Sequence, residues 1–428
     1  MIFEKIYDEA LREMVCKAKH PSGMDVIVIK KKGYSKKYAT FSTKYGSINT
    51  DFVVPGEGEV THVIDGVAHF LEHKVFEQPD GTNAFERFAK FGGNANAFTS
   101  FGVTNYLFSC TDNFYENLGV LLDYVQKPYF TQENVEKEKG IIAQEVRMYD
   151  DDPNQTVFYN CLKAMYKNHP VRVEIAGSVQ EIMKTTPELL YKCYNTFYNP
   201  SNMALIIVGD VDEERVGKMA EEFITKSGNG EIKQIFPDEP KEIVESYIEA
   251  KRELSMPSFM LGYKDPETGG SGEELLRRDI TSSIALELIA GHSSELYKKL
   301  YDAGDINWNF GISYDYETSF AFAAFSGDSA DPKKVRDAIF AQVRAMAKTG
   351  VDIEALERCK KKMQGNMIRL LNSVEHLGNE YMFSYHRDVN LFDYPRICAS
   401  VNAEDVNARI SMLLDEKNAA LSVVNPKG

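Results

Sequence analysis

The chain has 428 residues, of which 43% are hydrophobic and 26% charged, and this length predicts two to four domains or lobes. The formal net charge of −15 disfavours nucleic acid and anionic membranes as partners, and suits either cationic peptide substrates or solubility alone. The sequence has no run of about 20 apolar residues and no signal peptide, and its six cysteines are scattered. These features predict a cytoplasmic protein with reduced thiols and no membrane partner.

The first part of the chain predicts strands followed by helices. Residues 25–29 and 38–43 alternate apolar and polar side chains, as strands do. Asp65 is a candidate N-cap for a helix that begins near Gly66. A second helix is predicted over residues 83–91, because two glycines follow it.

One more strand and two helices are predicted after these glycines. Residues 96–100 and 106–108 have strand composition, and residues 117–125 have helical periodicity. Thr131 is a candidate cap for a long helix that ends near Met148, before the acidic residues that precede Pro153.

A weak internal repeat divides the chain. Residues 199–208 resemble residues 416–424, and each copy follows a helix that opens with a capping segment. The fold class predicted is α+β, with two homologous domains that each hold a mostly antiparallel sheet packed with helices. We expect a catalytic domain over residues 1–226, a linker over 227–245 and an inactive homologous domain over 246–428.

The segment His69-Phe70-Leu71-Glu72-His73 carries the candidate chemistry. Two histidines four apart project from one face of a helix, which suits two nitrogen ligands of one zinc ion. Glu72 lies on the adjoining face, where it can activate a metal-bound water as general base. This is the HxxEH order of the inverzincins.

The long fourth helix offers the remaining groups. A catalytic zinc takes a third protein ligand and keeps one open position, and Glu145 would complete the set. Glu138, two turns away, could hold a ligand histidine by a hydrogen bond. Taken alone, either segment also fits ordinary surface side chains. The apolar neighbours of His69 favour a buried helix instead, in which such groups need a partner.

At these residues the chain resembles the insulinase/pitrilysin family of zinc metallopeptidases, which includes the mitochondrial processing peptidases. The ordered matches also include Gly92–Ser100, Thr104–Tyr106, the Glu138 and Glu145 pair, and three later segments: His169-Pro170, Ile175-Ala176-Gly177 and Tyr198–Met203. They cover the first half of the chain, and the repeat extends the resemblance weakly over the rest.

The resemblance implies one zinc ion per chain, with His69, His73 and Glu145 as ligands. It implies Glu72 as general base and Glu138 as a supporting acidic residue. The run Asn96, Ala97 and Phe98 maps to an edge strand that binds substrate as an added strand. In the family, two domains form one half of a clamshell chamber that closes around a peptide.

One family feature is missing. Members that act alone or as homodimers carry an Arg and, about seven residues later, a Tyr that grip the substrate. Here those positions fall near Tyr301 and near Asn307 or Trp308. We therefore expect a homologous partner chain that supplies the grip, in a heterodimer. The alternative is that Tyr297, Lys298 or Tyr301 substitutes, which would leave a homodimer.

Two functions remain as hypotheses. The first is a zinc metalloendopeptidase that cleaves unfolded peptides or small precursor segments inside a closed chamber. The second is a non-catalytic scaffold or peptide-binding subunit of the same fold. Scaffold members of the family typically lose one of the motif residues, whereas all four are present here. This favours the enzyme.

Overall fold

The computed structural model describes residues 1–427 and has a mixed α+β architecture in two compact units. Unit 1 contains residues 1–146, 174–235 and 368–386, and unit 2 contains residues 147–173, 236–367 and 387–428, of which the last is outside the description. The predicted fold class is confirmed: each unit holds one large, mostly antiparallel sheet and several helices.

Fifteen strands occur among the described residues. They are β1 (Glu4–Asp8), β2 (Glu13–Lys19), β3 (Asp25–Lys30), β4 (Lys37–Thr43), β5 (Asp51–Val53), β6 (Val60–His62), β7 (Asn94–Thr99), β8 (Thr104–Cys110), β9 (Met203–Gly209), β10 (Lys233–Gln234), β11 (Tyr247–Arg252), β12 (Ser258–Lys264), β13 (Gly311–Tyr316), β14 (Ala321–Asp328) and β15 (Ala419–Pro426).

The same part of the chain forms fifteen α-helices. They are α1 (Val67–Val75), α2 (Ala84–Lys90), α3 (Phe114–Tyr124), α4 (Gln132–Asp151), α5 (Pro153–Met165), α6 (Val179–Ile182), α7 (Pro187–Phe197), α8 (Glu213–Phe223), α9 (Gly272–Ala290), α10 (Glu295–Asp302), α11 (Pro332–Thr349), α12 (Ile353–Leu370), α13 (Val374–His386), α14 (Tyr394–Ser400) and α15 (Ala403–Leu413).

The large sheet of unit 1 has seven strands in the order β1-β2-β3-β9-β4-β8-β7. All neighbours are antiparallel except β3 and β9. Every residue of β9 is buried, as expected for a central strand with both faces covered. A small sheet, β10-β5-β6, accompanies it. The strand β10 lies inside the predicted linker.

The sheet of unit 2 has five strands in the order β11-β15-β12-β14-β13. The strands β11 and β15 are parallel, and the other neighbours are antiparallel. In both units the last strand therefore enters its own sheet between two earlier strands: β9 lies between β3 and β4, and β15 lies between β11 and β12.

The compact units divide the chain differently from the predicted bounds 1–226 and 246–428. Helix α5 belongs to unit 2, where it packs on β12 and β15, and helix α13 belongs to unit 1, where it packs on β4 and β9. The predicted bounds follow the sequence repeat, whereas the units follow packing. As limits of the duplicated segments, the bounds stay a prediction.

Most early elements lie within a few residues of their predicted positions, with two corrections. Gly66, in the left-handed conformation (φ 86°), occupies the N-cap position of α1, so Asp65 is not the cap. The fourth predicted helix is followed at once by α5, which the sequence did not predict. Asp152 caps α5 by accepting a hydrogen bond from the Asn154 N–H.

Two further observations concern the cysteines and the helices. All six cysteines are buried and free of disulfide bonds. No helix within residues 1–427 combines the length and the apolar character that crossing a membrane requires.

Candidate metal centre

Helix α1 places both histidines of the motif on one face. Its start is fixed by Gly66, where an added Cβ would collide with the carbonyl oxygen of Ala176. The residues Ile175-Ala176-Gly177, matched in the sequence, therefore pack against the entry to α1. One turn later His69 and His73 lie with their ring centroids 4.6 Å apart.

Helix α4 brings Glu145 against these rings. Its carboxylate oxygens lie 3.7 Å from His69 Nε2 and 3.4 Å from His73 Nε2. One ligand atom from each of His69, His73 and Glu145 lies within 4.8 Å of the others. Two imidazole nitrogens and one carboxylate are the donor set of a catalytic zinc site that keeps a position open.

Glu138 lies on the other side of His73. Its Oε1 accepts a hydrogen bond from His73 Nδ1 at 3.1 Å, so Nδ1 carries a proton and Nε2 is the nitrogen left to bind a metal. Burial alone would lower the pKa of His73, but the hydrogen bond to Glu138 and the surrounding carboxylates raise it. Glu138 is buried, with 5% of its surface exposed. The arrangement orients His73 with Nε2 toward Glu145.

His69 is held in a form that can bind a metal. Burial, together with the neighbouring His73, lowers its pKa to about 4, so the ring is neutral at physiological pH. Its Nδ1 is buried and has no hydrogen-bond partner among the described residues. The donor set therefore fits a zinc ion, because two imidazole side chains and one carboxylate bring their ligand atoms together around the buried His69.

Glu72 lies beside this group of three. Thr99 Oγ1, at the end of β7, donates a hydrogen bond to Glu72 Oε2 at 2.8 Å. Burial raises the pKa of Glu72, and the hydrogen bond from Thr99 opposes that shift. A carboxylate with a raised pKa next to a candidate metal site is suited to accept and return a proton.

The residues Asn96, Ala97 and Phe98 lie on β7, which is the edge strand of its sheet. The N–H of Ala97 donates to Asn96 Oδ1 at 2.9 Å. The ring of Phe98 lies 5.8 Å from that of Phe383 on α13. Because α1 packs on β7, the edge strand and the candidate metal centre belong to the same corner of unit 1.

The positions expected to hold a substrate-gripping Arg and Tyr lie in unit 2. Tyr301 is 49% exposed on α10, and Trp308, the one tryptophan of the chain, is 77% exposed. The side-chain amides of Asn307 and Asn309 donate to the same Asp328 oxygen, at 3.1 and 2.8 Å. These bonds hold the turn that displays Trp308.

Two residues at the site escaped the sequence analysis. Thr99 lies inside the matched run Gly92–Ser100, but only tertiary packing shows that it contacts Glu72. Lys74 follows His73 directly and is fully buried, at 0% exposure. A lysine among the apolar residues Phe70, Leu71 and Val75 was a signal that it needs an ionic partner.

Comparison with known proteins gives consistent results. The family model described as Insulinase (Peptidase family M16) matches residues 57–179, and that of the Peptidase M16 inactive domain matches residues 184–363. The uncharacterized zinc protease YmfH of Bacillus subtilis (strain 168) is 41% identical over 423 residues, which cover 98% of each chain.

Solved structures resemble the whole chain. An M16-like peptidase from Alicyclobacillus acidocaldarius has a TM-score of 0.92 at 33% identity, with 100% of this chain and 99% of that chain covered. Pitrilysin shares the fold, with a TM-score of 0.76 at 17% identity. There the match spans 99% of this chain but 46% of pitrilysin.

Proposed function

Because the chain belongs to the M16 peptidase family, the insulinase family, we propose that it is a zinc-dependent endopeptidase that cleaves unfolded peptides or small precursor segments. The observation that supports this most is the group His69, His73 and Glu145, with ligand atoms within 4.8 Å of one another and Glu72 beside them. We propose one zinc ion per chain at this group.

The residues have separate roles in this proposal. Zinc bound by His69, His73 and Glu145 would supply Lewis acidity, which acidifies a water molecule and polarises the scissile carbonyl. Glu72 takes a proton from the attacking water and returns it to the nitrogen of the leaving amine. Because Thr99 Oγ1 donates to Oε2 of Glu72, we assign this proton to Oε1.

We propose that β7 binds the substrate as an added strand. As an edge strand, it offers main-chain groups on its open side, and an extended peptide can pair with them whatever its side chains. The Ala97 N–H, now bonded to the Asn96 side chain, is one donor that the peptide would use instead. This mode of binding suits unfolded substrates, because a folded segment has no free strand to add.

We also propose that a homologous partner chain completes the enzyme, in a chamber formed by two halves. The match to less than half of pitrilysin supports this, since pitrilysin carries a second stretch of similar length. The aromatic residues Tyr301 and Trp308 at the positions expected for an Arg and a Tyr support a partner that supplies the grip. The alternative is a homodimer in which Tyr297, Lys298 or Tyr301 binds substrate.

The test is zinc content together with cleavage of a quenched peptide library by the purified chain. We expect one zinc per chain and cleavage that Glu145→Gln abolishes through loss of the metal. The matched control is Glu133→Gln, an exposed residue on the same helix, which keeps both.

Each other outcome has a definite meaning. Zinc without cleavage would support the two-chain form, and addition of a homologous partner without the motif should then restore activity. A chain never exposed to chelator that contains no zinc would contradict the proposal and favour the scaffold function.

A further inference from the structure

We infer that Lys74 is a positioning residue of the zinc site, which acts on His73 through Glu138. The inference rests on the proposed function, because it assigns a role toward the metal that His69, His73 and Glu145 would hold. The inference starts from the complete burial of Lys74, which lies on α1 one residue after His73.

The ammonium group of Lys74 lies near three oxygens of unit 1, two of them at bonding distance. Its Nζ pairs with a Glu77 carboxylate oxygen, donates to the Asn134 carbonyl oxygen at 3.2 Å and lies 3.8 Å from Glu138 Oε2. Glu77 and the Asn134 carbonyl are the close partners that hold the ammonium in place, and Glu138 interacts with it as an ion pair at a longer distance.

Glu138 connects this ammonium to the metal ligand. Its Oε2 faces Lys74, and its Oε1 accepts the hydrogen bond from His73 Nδ1 at 3.1 Å. The Nε2 of His73 then lies 3.4 Å from Glu145. One carboxylate thus bridges a lysine and a histidine, and the orientation of the ring depends on where the lysine holds that carboxylate.

Electrostatics gives the reason for a lysine at this place. A buried carboxylate without a cation is strongly disfavoured, and Glu138 has only 7% of its side chain exposed. Within residues 1–427, Glu138 forms ion pairs with His73 and Lys74. Lys74 offsets the charge of Glu138 without coordinating the metal, and so leaves His73 Nε2 to bind it.

A purely structural role is the competing explanation, since the pair with Glu77 would stabilise the end of α1 in any case. The two explanations differ in what they predict for a double substitution. If Lys74 acts through Glu138, its removal has no further effect once Glu138 is neutral. If it acts through the fold, its effect is the same in either background.

The experiment measures the zinc dissociation constant by chelator competition for the full chain, for Lys74→Met, Glu138→Gln and the double variant. Lys74→Met is expected to weaken zinc binding about 10-fold, the low end for partners that orient a metal ligand. Glu138→Gln is expected to weaken it at least as much, and the double variant should equal Glu138→Gln within about twofold.

The matched control is Lys139→Met. Lys139 is also a buried lysine, 7% exposed in its side chain, and it pairs with Glu136 at 2.6 Å on the helix that carries Glu138. Its replacement changes the net charge equally but is expected to change zinc affinity by less than about twofold. Lys74→Arg, which keeps the charge, should recover most of the loss.

Three outcomes would overturn the inference. They are an unchanged affinity in Lys74→Met, an equal loss in Lys139→Met, or a further loss in the double variant compared with Glu138→Gln. If Lys74→Met does not fold, the comparison of Glu138→Gln with the double variant decides, because neither contains an unpaired Glu138 carboxylate. If the unsubstituted chain binds no zinc, it is the proposed function that fails.

Discussion

The two units share one topology but carry different side chains at corresponding places. The order β3-β9-β4-β8-β7 in unit 1 matches β11-β15-β12-β14-β13 in unit 2, with the parallel pair at the same place. By chain order, helices α1 and α4 correspond to α9 and α12, and the edge strand β7 corresponds to β13.

These corresponding elements enclose different chemistry. In unit 1 they bring together His69, His73 and Glu145. In unit 2, α9, α12 and β13 line a hollow of about 190 Å³ that contains Glu287, Lys362 and Asn366. Lys362 forms an ion pair with Glu287 there, so the positive charge at this place is that of a lysine side chain and not of a metal ion.

Part of the polar framework is nevertheless the same. Lys139 pairs with Glu136 on α4, and Lys360 pairs with Glu357 on α12, each at a spacing of three residues and each with the lysine buried. Unit 2 therefore keeps the topology and the supporting ion pair although it lacks the metal-binding side chains of unit 1. The candidate activity therefore depends on a few side chains in unit 1 and not on the architecture.

The largest expected effect is on peptide cleavage, and it should be seen for a substitution in unit 1 but not for one in unit 2. Glu72→Gln should reduce peptide cleavage by about 10²- to 10⁴-fold, because it removes the group proposed to transfer the proton, while zinc content stays unchanged. Glu287→Gln, in the corresponding region of unit 2, should leave cleavage unchanged. Turnover of a quenched peptide, normalised to bound zinc, measures both. An equal loss in the two variants would contradict the functional difference between the units.

The next largest effect is on folding stability and concerns a substitution in unit 2. Arg409 on α15 pairs with Asp265 and donates to Ser282 Oγ at 2.7 Å and to Tyr314 Oη at 2.9 Å, with all four side chains in unit 2. Arg409→Met should lower the free energy of unfolding by about 3–5 kcal/mol, because Asp265 is left buried and unpaired. Urea unfolding followed by far-UV circular dichroism measures this loss.

The control for this variant is Arg396→Met. Arg396 pairs with Glu273 at 2.9 Å, but both side chains are more than half exposed. Because solvent screens an exposed pair, the expected loss is much smaller than that of Arg409→Met. Comparable losses for Arg409→Met and Arg396→Met would show that the buried cluster does not hold unit 2 together.

A smaller effect is expected at Thr99. Thr99→Val removes the hydroxyl that donates to Glu72 Oε2 and keeps the shape of the side chain. The loss of one such hydrogen bond, about 1 kcal/mol, should lower cleavage roughly fivefold with zinc binding unchanged. Thr104→Val on β8 is the control, since its hydroxyl donates to the Tyr45 carbonyl oxygen instead. A loss of zinc in Thr99→Val would assign Thr99 to the metal and not to Glu72.

The smallest effect concerns acid stability. Burial alone would raise the pKa of Glu213, but hydrogen bonds from Lys30 on β3 and Lys5 on β1 lower it to about 2. Within the described part of unit 2, the sheet has no counterpart of β1. A carboxylate with a lowered pKa in the folded state stabilises the fold at pH values above its unfolded pKa of about 4.3. This stabilisation is lost as the pH falls toward 2. After allowance for solvent screening, we expect at most about 1 kcal/mol.

Unfolding free energies at pH 7 and pH 3 measure this contribution. The difference in unfolding free energy between the unsubstituted chain and Glu213→Gln should shrink at pH 3. At that pH the Glu213 carboxylate takes up a proton in the unfolded chain, which favours unfolding. A difference that stays constant between the two values would show that Glu213 contributes through packing and not through its charge.

The sequence predicted what is local and missed what depends on long-range packing. His69, Glu72 and His73 share one helix, so their spacing fixed their geometry. The pairing of His73 with Glu138 crosses 65 residues, and the family resemblance, together with helical spacing, suggested it. Nothing in the sequence shows that Thr99 meets Glu72, since a strand residue points to either face according to its register.

The same reasoning explains the differences in the fold. Asp65 is a better capping residue than glycine, but the close approach of Ala176 demands a residue without Cβ at the next position. Helix α5 was missed because Pro153 was interpreted as the end of a helix, although proline is also favoured at the first helical position.

The exchange of α5 and α13 between the repeats has a consequence for the dissection of this chain. A cut in the segment 227–245 would release two fragments that each lack the helix covering their own sheet: α13 would be missing from β4 and β9, and α5 from β12 and β15. Neither fragment would be an autonomous folding unit. A functional pair of such fragments would therefore have to be produced together, so that each could supply the helix that the other lacks.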